Sequence, residues 1–107
     1  MIGIDIVEID DFKGRDYSKI FTQSELEYIS KATSLERKFE TMAGLYAGKE
    51  AVFKALKLNS LGLEILKSIE ILHDENGVPY CKYEGFELEI SISHTHSTAV
   101  AVAVVKN

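Results

Sequence analysis

The chain has 107 residues, a net charge of −5 at neutral pH, and 46% hydrophobic against 27% charged residues. This length predicts one domain over residues 1–107, and this composition excludes intrinsic disorder for most of the chain. The acidic balance argues against general binding to nucleic acid, and the longest apolar run, residues 99–105, is too short to cross a bilayer.

The N-terminus and the lone cysteine predict a cytoplasmic location. Residues 1–5 contain no basic stretch and have an early aspartate, which is not the pattern of a secretory leader. Cys81 alone cannot form an intrachain disulfide, which fits a reducing compartment. A chain this small buries a limited core, so self-association is expected.

Residues 2–9 predict a strand with Ile2, Ile4 and Ile6 on one face. Asp5 and Gly3 share the opposite face. A carboxylate among isoleucines is costly if it is buried without a partner. Asp5 is therefore either a ligand-binding group with room beside Gly3, or an edge-strand residue that faces water.

Two capping boxes predict the helices of the first half. Residues 22–25 read Thr-Gln-Ser-Glu and predict a helix through about residue 32. Residues 33–36 repeat the pattern and predict a long helix through about residue 58. Residues 59–67 are expected to form a loop or a short helical turn.

The second half predicts an antiparallel sheet. Asn76-Gly77 is a strong turn signal because both residues accept positive φ at low cost. The last predicted strand alternates alanine with valine. We expect its alanine face to be packed closely by a helix or by a second subunit, and the subunit boundary is the favoured interpretation. The predicted class is α+β, with long helices packed on a small antiparallel sheet. The strand segments are residues 68–72, 79–83, 87–93 and 98–105.

The long helix carries charged residues in unusual places. Lys49 falls within the apolar stripe, and Glu50 and Lys54 have the i,i+4 spacing of an ion pair. One interpretation is a surface salt bridge beside a snorkelling lysine. The other is a carboxylate and an ammonium aimed at a metal-bound phosphate, with Asp5 as a second carboxylate that would suit Mg²⁺.

His94 and His96 are spaced to lie on one face of a strand, where they would be possible zinc ligands. A hydrated hairpin loop is the favoured interpretation, and a metal-binding protein that uses both histidines is the alternative. Cys81 is expected to be a partly buried strand residue. Glycine-rich phosphate loops are absent, so side chains and a metal must hold any phosphate.

In their order along the chain, these motifs resemble the holo-acyl-carrier-protein synthase family, the small 4′-phosphopantetheinyl transferases. The match covers almost the whole length. Five segments carry it: residues 3–9 (G-I-D-I-V-E-I), 22–26 (T-Q-S-E-L), 43–55 (A-G-L-Y-A-G-K-E-A-V-F-K-A), 76–79 (N-G-V-P) and 90–95 (I-S-I-S-H-T).

The resemblance implies a reaction and an assembly. Family members move the 4′-phosphopantetheine arm of coenzyme A onto a serine of apo-acyl carrier protein and release adenosine 3′,5′-bisphosphate. They need Mg²⁺ and form homotrimers with active sites between subunits. By motif, Asp5 and Glu50 are the metal carboxylates and Lys54 is the pyrophosphate cation. Glu50 or a metal-bound water is the candidate proton acceptor.

The resemblance also implies contacts to coenzyme A. His94 and Thr95 match the residues expected near a phosphate of the ribose end, and Asn76, Gly77 and Pro79 match part of the adenine pocket. Two arginines frequent in the family are replaced here, one by Leu45 and the other within residues 10–13. One alternative is therefore a coenzyme A-binding trimer without transferase activity. Another is a transferase that serves a carrier of a secondary pathway.

An acidic carrier needs a basic docking patch, because this chain is itself acidic. The candidates near the first helix are Lys13, Arg15 and Lys19, and those at the start of the long helix are Arg37 and Lys38. Neighbouring aspartates partly neutralise the positive charge of the first group. We therefore expect carrier docking to be weak and sensitive to salt.

Overall fold

Five strands form one antiparallel sheet with the spatial order β1-β5-β4-β3-β2 in the computed structural model, which describes residues 1–107. One long helix crosses a face of this sheet. The elements in chain order are β1 (Ile2–Glu8), α1 (Gln23–Ser30), α2 (Leu35–Ala55), α3 (Leu63–Ser68), β2 (Leu72–His73), β3 (Pro79–Tyr83), β4 (Phe86–His94) and β5 (Thr98–Val105). Two short 3₁₀ turns, Ile9–Phe12 and Ser18–Ile20, lie between β1 and α1.

The predicted caps are confirmed with one shift. Thr22 accepts the backbone N–H of Glu25, whose carboxylate in turn accepts the backbone N–H of Thr22. At α2 the cap is Ser34 rather than Thr33, because the Ser34 hydroxyl accepts the Arg37 backbone N–H. Helix α2 also ends earlier than predicted, at Ala55.

The strand predicted over residues 68–72 is wrong at its beginning. Helix α3 occupies the chain up to Ser68, and β2 contains only Leu72 and His73. The reason is a tertiary contact: the buried Lys49 ammonium donates to the carbonyls of Leu66 and Ile69, at 2.8 and 2.7 Å. These are carbonyls that a helix end otherwise leaves unsatisfied.

The turn at residues 74–78 is confirmed. Asp74 Oδ1 accepts the backbone N–H groups of Asn76 and Val78, each at 2.9 Å. Gly77 has a φ of 81°, which a glycine adopts without steric cost. Strand β3 then begins at Pro79 and pairs with β2 through His73.

Helix α2 covers the alanine face of β5, so the predicted subunit boundary there is wrong. Ala99, Ala101 and Ala103 are fully buried within the chain. Small residues let the helix lie close to the sheet. The closest approach is at Gly3 of β1, where an added Cβ would lie 2.0 Å from the Ala51 carbonyl oxygen and 2.7 Å from the Ala55 nitrogen.

The opposite face of the sheet is uncovered and apolar near its β1 edge. Ile2, Ile4 and Ile6 are between 59 and 69% exposed. They pair in register with Val104, Val102 and Val100 of β5, which share their face. The isoleucines of β1 therefore point away from the core, while Asp5 points toward it. No helix of the chain has the length and apolar character to span a membrane.

Candidate active site

The structure brings Asp5 of β1 next to Glu50 and Lys54 of α2. Asp5 is 9% exposed, and Lys54 Nζ lies 3.1 Å from its Oδ1. The same ammonium donates to the Ile4 carbonyl at 3.0 Å. Asp5 Oδ2 is buried and has no hydrogen-bond partner. A buried carboxylate oxygen without a donor is costly, so this oxygen is available to a ligand.

Glu50 is held from its other side by Tyr46. The Tyr46 hydroxyl donates to Glu50 Oε1 at 3.2 Å. Burial, reinforced by the neighbouring Asp5, raises the pKa of Glu50 to about 7. Burial and the Glu50 charge raise the pKa of Tyr46 to about 12, so its hydroxyl keeps its proton. Two carboxylates this close each disfavour the charge of the other.

The Asp5–Glu50 pair fits Mg²⁺ by its chemistry. Both groups offer oxygen, and Mg²⁺ is usually held by one or two carboxylates together with phosphates and waters. No group of three or more His, Cys, Asp and Glu side chains is placed to hold a metal. A cation here would therefore share its coordination with a bound phosphate. The predicted Glu50–Lys54 ion pair is replaced by the Lys54–Asp5 pair.

Lys49 and Cys81 are structural. Lys49 is fully buried rather than snorkelling, and its ammonium pairs with Glu25 Oε1 at 2.7 Å. Burial lowers the pKa of Lys49, and Glu25 acts against that shift. Cys81 is also fully buried rather than partly so, and burial raises its pKa to about 12. A thiol with that pKa is not a nucleophile at neutral pH.

A groove of about 650 Å³ lies between the start of α2, the end of α1 and the strands β3 and β4. It brings together Gly77, Pro79 and His94, as the resemblance implies. Asn76 and Thr95 do not line it. The Thr95 hydroxyl instead accepts the backbone N–H groups of Ser97 and Thr98, which close the turn before β5.

His94 lies at the edge of this groove beside an acidic residue. Its Nδ1 is 3.8 Å from Glu40 Oε2 and 2.9 Å from the Thr95 carbonyl oxygen. His96 lies in the turn after β4 and does not line the groove. The zinc site considered for the two histidines has no further ligands, since no suitable cluster exists.

Sequence reasoning missed four residues of the groove. Lys31 and Arg37 bring positive charge to it, although Arg37 was assigned to the docking patch. Tyr28 and His73 stack with ring centroids 3.8 Å apart and planes 6° apart. The connection between α1 and α2 is short, which indicates that the basic residues after the end of α1 and at the start of α2 lie close together. The stack joins two distant segments, so no local pattern predicts it.

Comparisons with known proteins show which family the chain belongs to. Residues 1–105 match the family model of the 4′-phosphopantetheinyl transferase superfamily. The chain is 46% identical over 87 residues to a holo-[acyl-carrier-protein] synthase of Caldicellulosiruptor saccharolyticus, covering 76% of this chain and 66% of that protein. It is 39% identical over 98 residues to the synthase of Staphylococcus aureus (strain JH9), covering 84% of this chain and 81% of that protein.

A solved structure has the same fold. The Helicobacter pylori holo-[acyl-carrier-protein] synthase in complex with coenzyme A has a TM-score of 0.77 and 31% identity, with 99% of this chain and 100% of that chain covered. The chain belongs to the 4′-phosphopantetheinyl transferase superfamily and is an enzyme of that class. Within the superfamily, its relatives place it among the holo-[acyl-carrier-protein] synthases, which confirms the resemblance read from its motifs.

Proposed function

We propose that residues 1–107 act as one domain that transfers the 4′-phosphopantetheine arm of coenzyme A to a serine of apo-acyl carrier protein, with Mg²⁺. The products are holo-carrier and adenosine 3′,5′-bisphosphate. The observation that carries this proposal is the Asp5–Glu50 pair, whose buried Asp5 Oδ2 has no donor in the chain. The compartment proposed is the cytoplasm, which suits the single free Cys81.

In this reaction the serine oxygen of the carrier bonds to the phosphorus that bears the pantetheine arm. The bridging oxygen of the pyrophosphate leaves with adenosine 3′,5′-bisphosphate. Mg²⁺, held by Asp5 and Glu50, would neutralise charge on the pyrophosphate. Glu50, or a water that the cation would hold, is the proposed acceptor of the serine proton.

Lys54 adds a positive charge beside the pair. Its side chain is 54% exposed while its ammonium contacts Asp5, so it can reach a ligand without leaving the carboxylate. A positioned cation stabilises charge that develops on a transferring phosphoryl group. The nucleophile comes from the carrier, which agrees with the inert Cys81 of this chain.

The groove is the proposed site for the nucleotide end of coenzyme A. Lys31 and Arg37 supply positive charge for phosphate, and His94 adds a hydrogen-bonding ring. Gly77 and Pro79 form the wall proposed for the adenine. Leu45, which stands where the family often has arginine, is buried and lines the groove, so Arg37 is the proposed replacement cation.

The groove and the carboxylate pair project from opposite sides of α2. Thr41 lines the groove, and Glu50 lies nine positions later on the same helix. Each residue turns the helix by roughly 100°, so the two side chains lie on opposite sides of its axis. Asp5, Glu50 and Lys54 do not line the groove. One coenzyme A molecule would contact both a groove and a carboxylate pair if the groove of one copy of the chain faces the carboxylate pair of another copy.

The uncovered face of β1 and β5 supports a homotrimer. Its exposed isoleucines at positions 2, 4 and 6 lie beside Val104, which is 40% exposed. A contiguous apolar surface of this kind marks an interaction site and is a hazard if it stays in water. We propose this face as the contact between copies, in place of the alanine face.

The transfer reaction is tested with purified protein, coenzyme A, Mg²⁺ and several apo-carriers, including one from fatty acid synthesis. Mass spectrometry of the carrier should show the added phosphopantetheine arm, and a chelator should prevent it. Coenzyme A binding without any modified carrier would favour the non-transferring trimer. Modification of a secondary-pathway carrier alone would assign the enzyme to that pathway.

The shared site is tested by mixing two inactive variants. Glu50→Gln removes the carboxylate, and His94→Ala removes a groove residue. If the two halves come from different copies, co-refolded mixtures recover a fraction of the activity that neither variant has alone. No recovery in a mixture shown to exchange subunits would mean that each site is built within one chain.

A further inference from the structure

Tyr46 lies one turn before Glu50 on α2, and Lys54 lies one turn after it. Residues four apart on a helix are neighbours on its surface. The two flanking residues donate to different carboxylates: Tyr46 to Glu50 Oε1 at 3.2 Å, and Lys54 to Asp5 Oδ1 at 3.1 Å. Each carboxylate thus has one oxygen held by a donor from α2.

When Glu50 is ionised, the other two oxygens have no protein donor. Asp5 Oδ2 is buried without a partner, and Glu50 accepts only the Tyr46 hydroxyl within the chain. A carboxylate with one oxygen fixed can rotate little, so the remaining oxygen has a defined direction. Partners of this kind orient metal ligands and tune their affinity.

The Tyr46 ring is itself fixed by packing. It meets Phe12 edge to face with centroids 5.4 Å apart, and Phe12 is buried with 2% exposure. Phe12 in turn packs on Tyr17 with centroids 4.5 Å apart. The place of the hydroxyl is therefore set by an aromatic cluster outside α2, rather than by the carboxylate it contacts.

We infer that Tyr46 is a positioning residue: its hydroxyl holds Glu50 Oε1 so that the other Glu50 oxygen and Asp5 Oδ2 are presented to one divalent cation. This inference rests on the proposed function, which supplies the cation. Lys54 has the matching role for Asp5. The hydroxyl does not touch the reacting atoms.

The test is Tyr46→Phe, which removes only the hydroxyl and keeps the ring on Phe12. Mn²⁺ binding is measured by electron paramagnetic resonance with coenzyme A present, beside the Mg²⁺ dependence of transfer. We expect the Mn²⁺ dissociation constant and the half-saturating Mg²⁺ concentration to rise roughly tenfold, as for other outer partners of metal ligands. Excess Mg²⁺ should restore most of kcat, and the KM for coenzyme A should stay unchanged.

Tyr83→Phe is the matched control, because Tyr83 lies on β3 and its hydroxyl has no hydrogen-bond partner in the chain. It should bind Mn²⁺ as the original protein does. The inference is overturned if Tyr46→Phe also binds Mn²⁺ normally, or if it raises the KM for coenzyme A even at saturating Mg²⁺. Glu50→Gln tests the proposed metal site separately from the role of Tyr46. Unchanged Mn²⁺ binding in that variant would overturn the metal site itself.

Discussion

Lys54 pairs with Asp5, 49 positions away in the chain, and not with Glu50 on the preceding turn of its own helix. The ammonium lies 3.1 Å from Asp5 Oδ1 and also reaches the backbone of β1 at Ile4. The pair therefore ties helix to strand at the place where the two carboxylates meet. Glu50 has no ion pair of its own within the chain, although the Lys54 charge acts against the rise of its pKa.

Glu50→Gln should reduce transfer by orders of magnitude and leave the fold intact. The amide has nearly the shape of the carboxylate, so packing is kept, while a metal ligand and the proposed proton acceptor are lost. Turnover is measured at saturating coenzyme A and Mg²⁺, with circular dichroism as the check of folding. Glu64→Gln, on the exposed side of α3, should behave as the original protein. Normal turnover of Glu50→Gln would refute the assignment.

The metal-free protein should lose stability as the pH rises through about 7. The pKa of Glu50 is raised from 4.5 to about 7 on folding, by burial first and then by Asp5. A raised pKa means that the folded state holds the proton more tightly, so this contribution is full below 4.5 and is lost above 7. Tm should fall by a few degrees between pH 5.5 and 8.

The control for this pH dependence is Glu50→Gln, which has no titrating group at position 50. Its Tm should therefore lack the part of the pH dependence that comes from Glu50. Mg²⁺ with coenzyme A should restore Tm at pH 8 in the original protein. Asp5, Tyr46 and Lys54 surround Glu50 and are unchanged in the comparison. Identical pH profiles for the two proteins would contradict the raised pKa.

Lys49→Met should destabilise the protein by about 3–5 kcal/mol, because it leaves the buried Glu25 without its cation. It also removes the donor to the carbonyls of Leu66 and Ile69. Urea unfolding gives the free energy of unfolding directly. Lys67→Met, at an exposed position of α3, should cost less than about 0.5 kcal/mol. Equal losses in the free energy of unfolding for the two variants would show that the buried Lys49–Glu25 pair does not stabilise the fold.

Two glycine substitutions should have opposite signs. Gly3→Ala places a Cβ 2.0 Å from the Ala51 carbonyl oxygen, and backbone cannot yield as a side chain does, so we expect a loss of about 1–3 kcal/mol or more. The Cβ of Gly48→Ala meets only side-chain atoms of Ile71 and Ile92, at 3.5 Å or beyond. It should stabilise α2 by about 0.5–1 kcal/mol. Thermal unfolding compares them, and a stable Gly3→Ala would contradict the close approach.

Reversal of one exposed charge should test carrier docking. Lys13 is already paired with Asp10 at 2.9 Å, and Arg37 lines the groove, so Arg15 is the freer cation of the proposed patch. Arg15→Glu should raise the KM for carrier several-fold and leave that for coenzyme A unchanged. Asp11→Arg should lower the KM for carrier. If activity does not depend on salt and neither variant changes the KM for carrier, the carrier docks mainly through apolar contacts.

The sequence was informative where a local rule decides the structure. The Thr22 capping box, the Asn76-Gly77 turn and the alternation in β4 and β5 are all found where the patterns predict. The pairing of Asp5 with Glu50 followed from family motifs rather than from spacing. Two lone carboxylates far apart in a chain have no local signature.

Tertiary contacts explain the errors. The strand predicted from residue 68 begins only at Leu72, because Lys49 of another helix holds the carbonyls of Leu66 and Ile69 at the end of α3. The alanine face was assigned to a subunit boundary because small residues indicate close packing but do not say which element packs. Likewise, periodicity alone does not tell which face of β1 is the interior, and here the isoleucines face outward.

The contact at Gly3 has a consequence for how this enzyme can change. Strand and helix meet there backbone to backbone, with no side chain between Gly3 and Ala51. The spacing of the two carboxylates, which lie beside that contact, is therefore set by main-chain geometry. A substitution elsewhere in the core changes side-chain packing and therefore stability, whereas the distance between the strand and the helix at the two carboxylates stays fixed by Gly3.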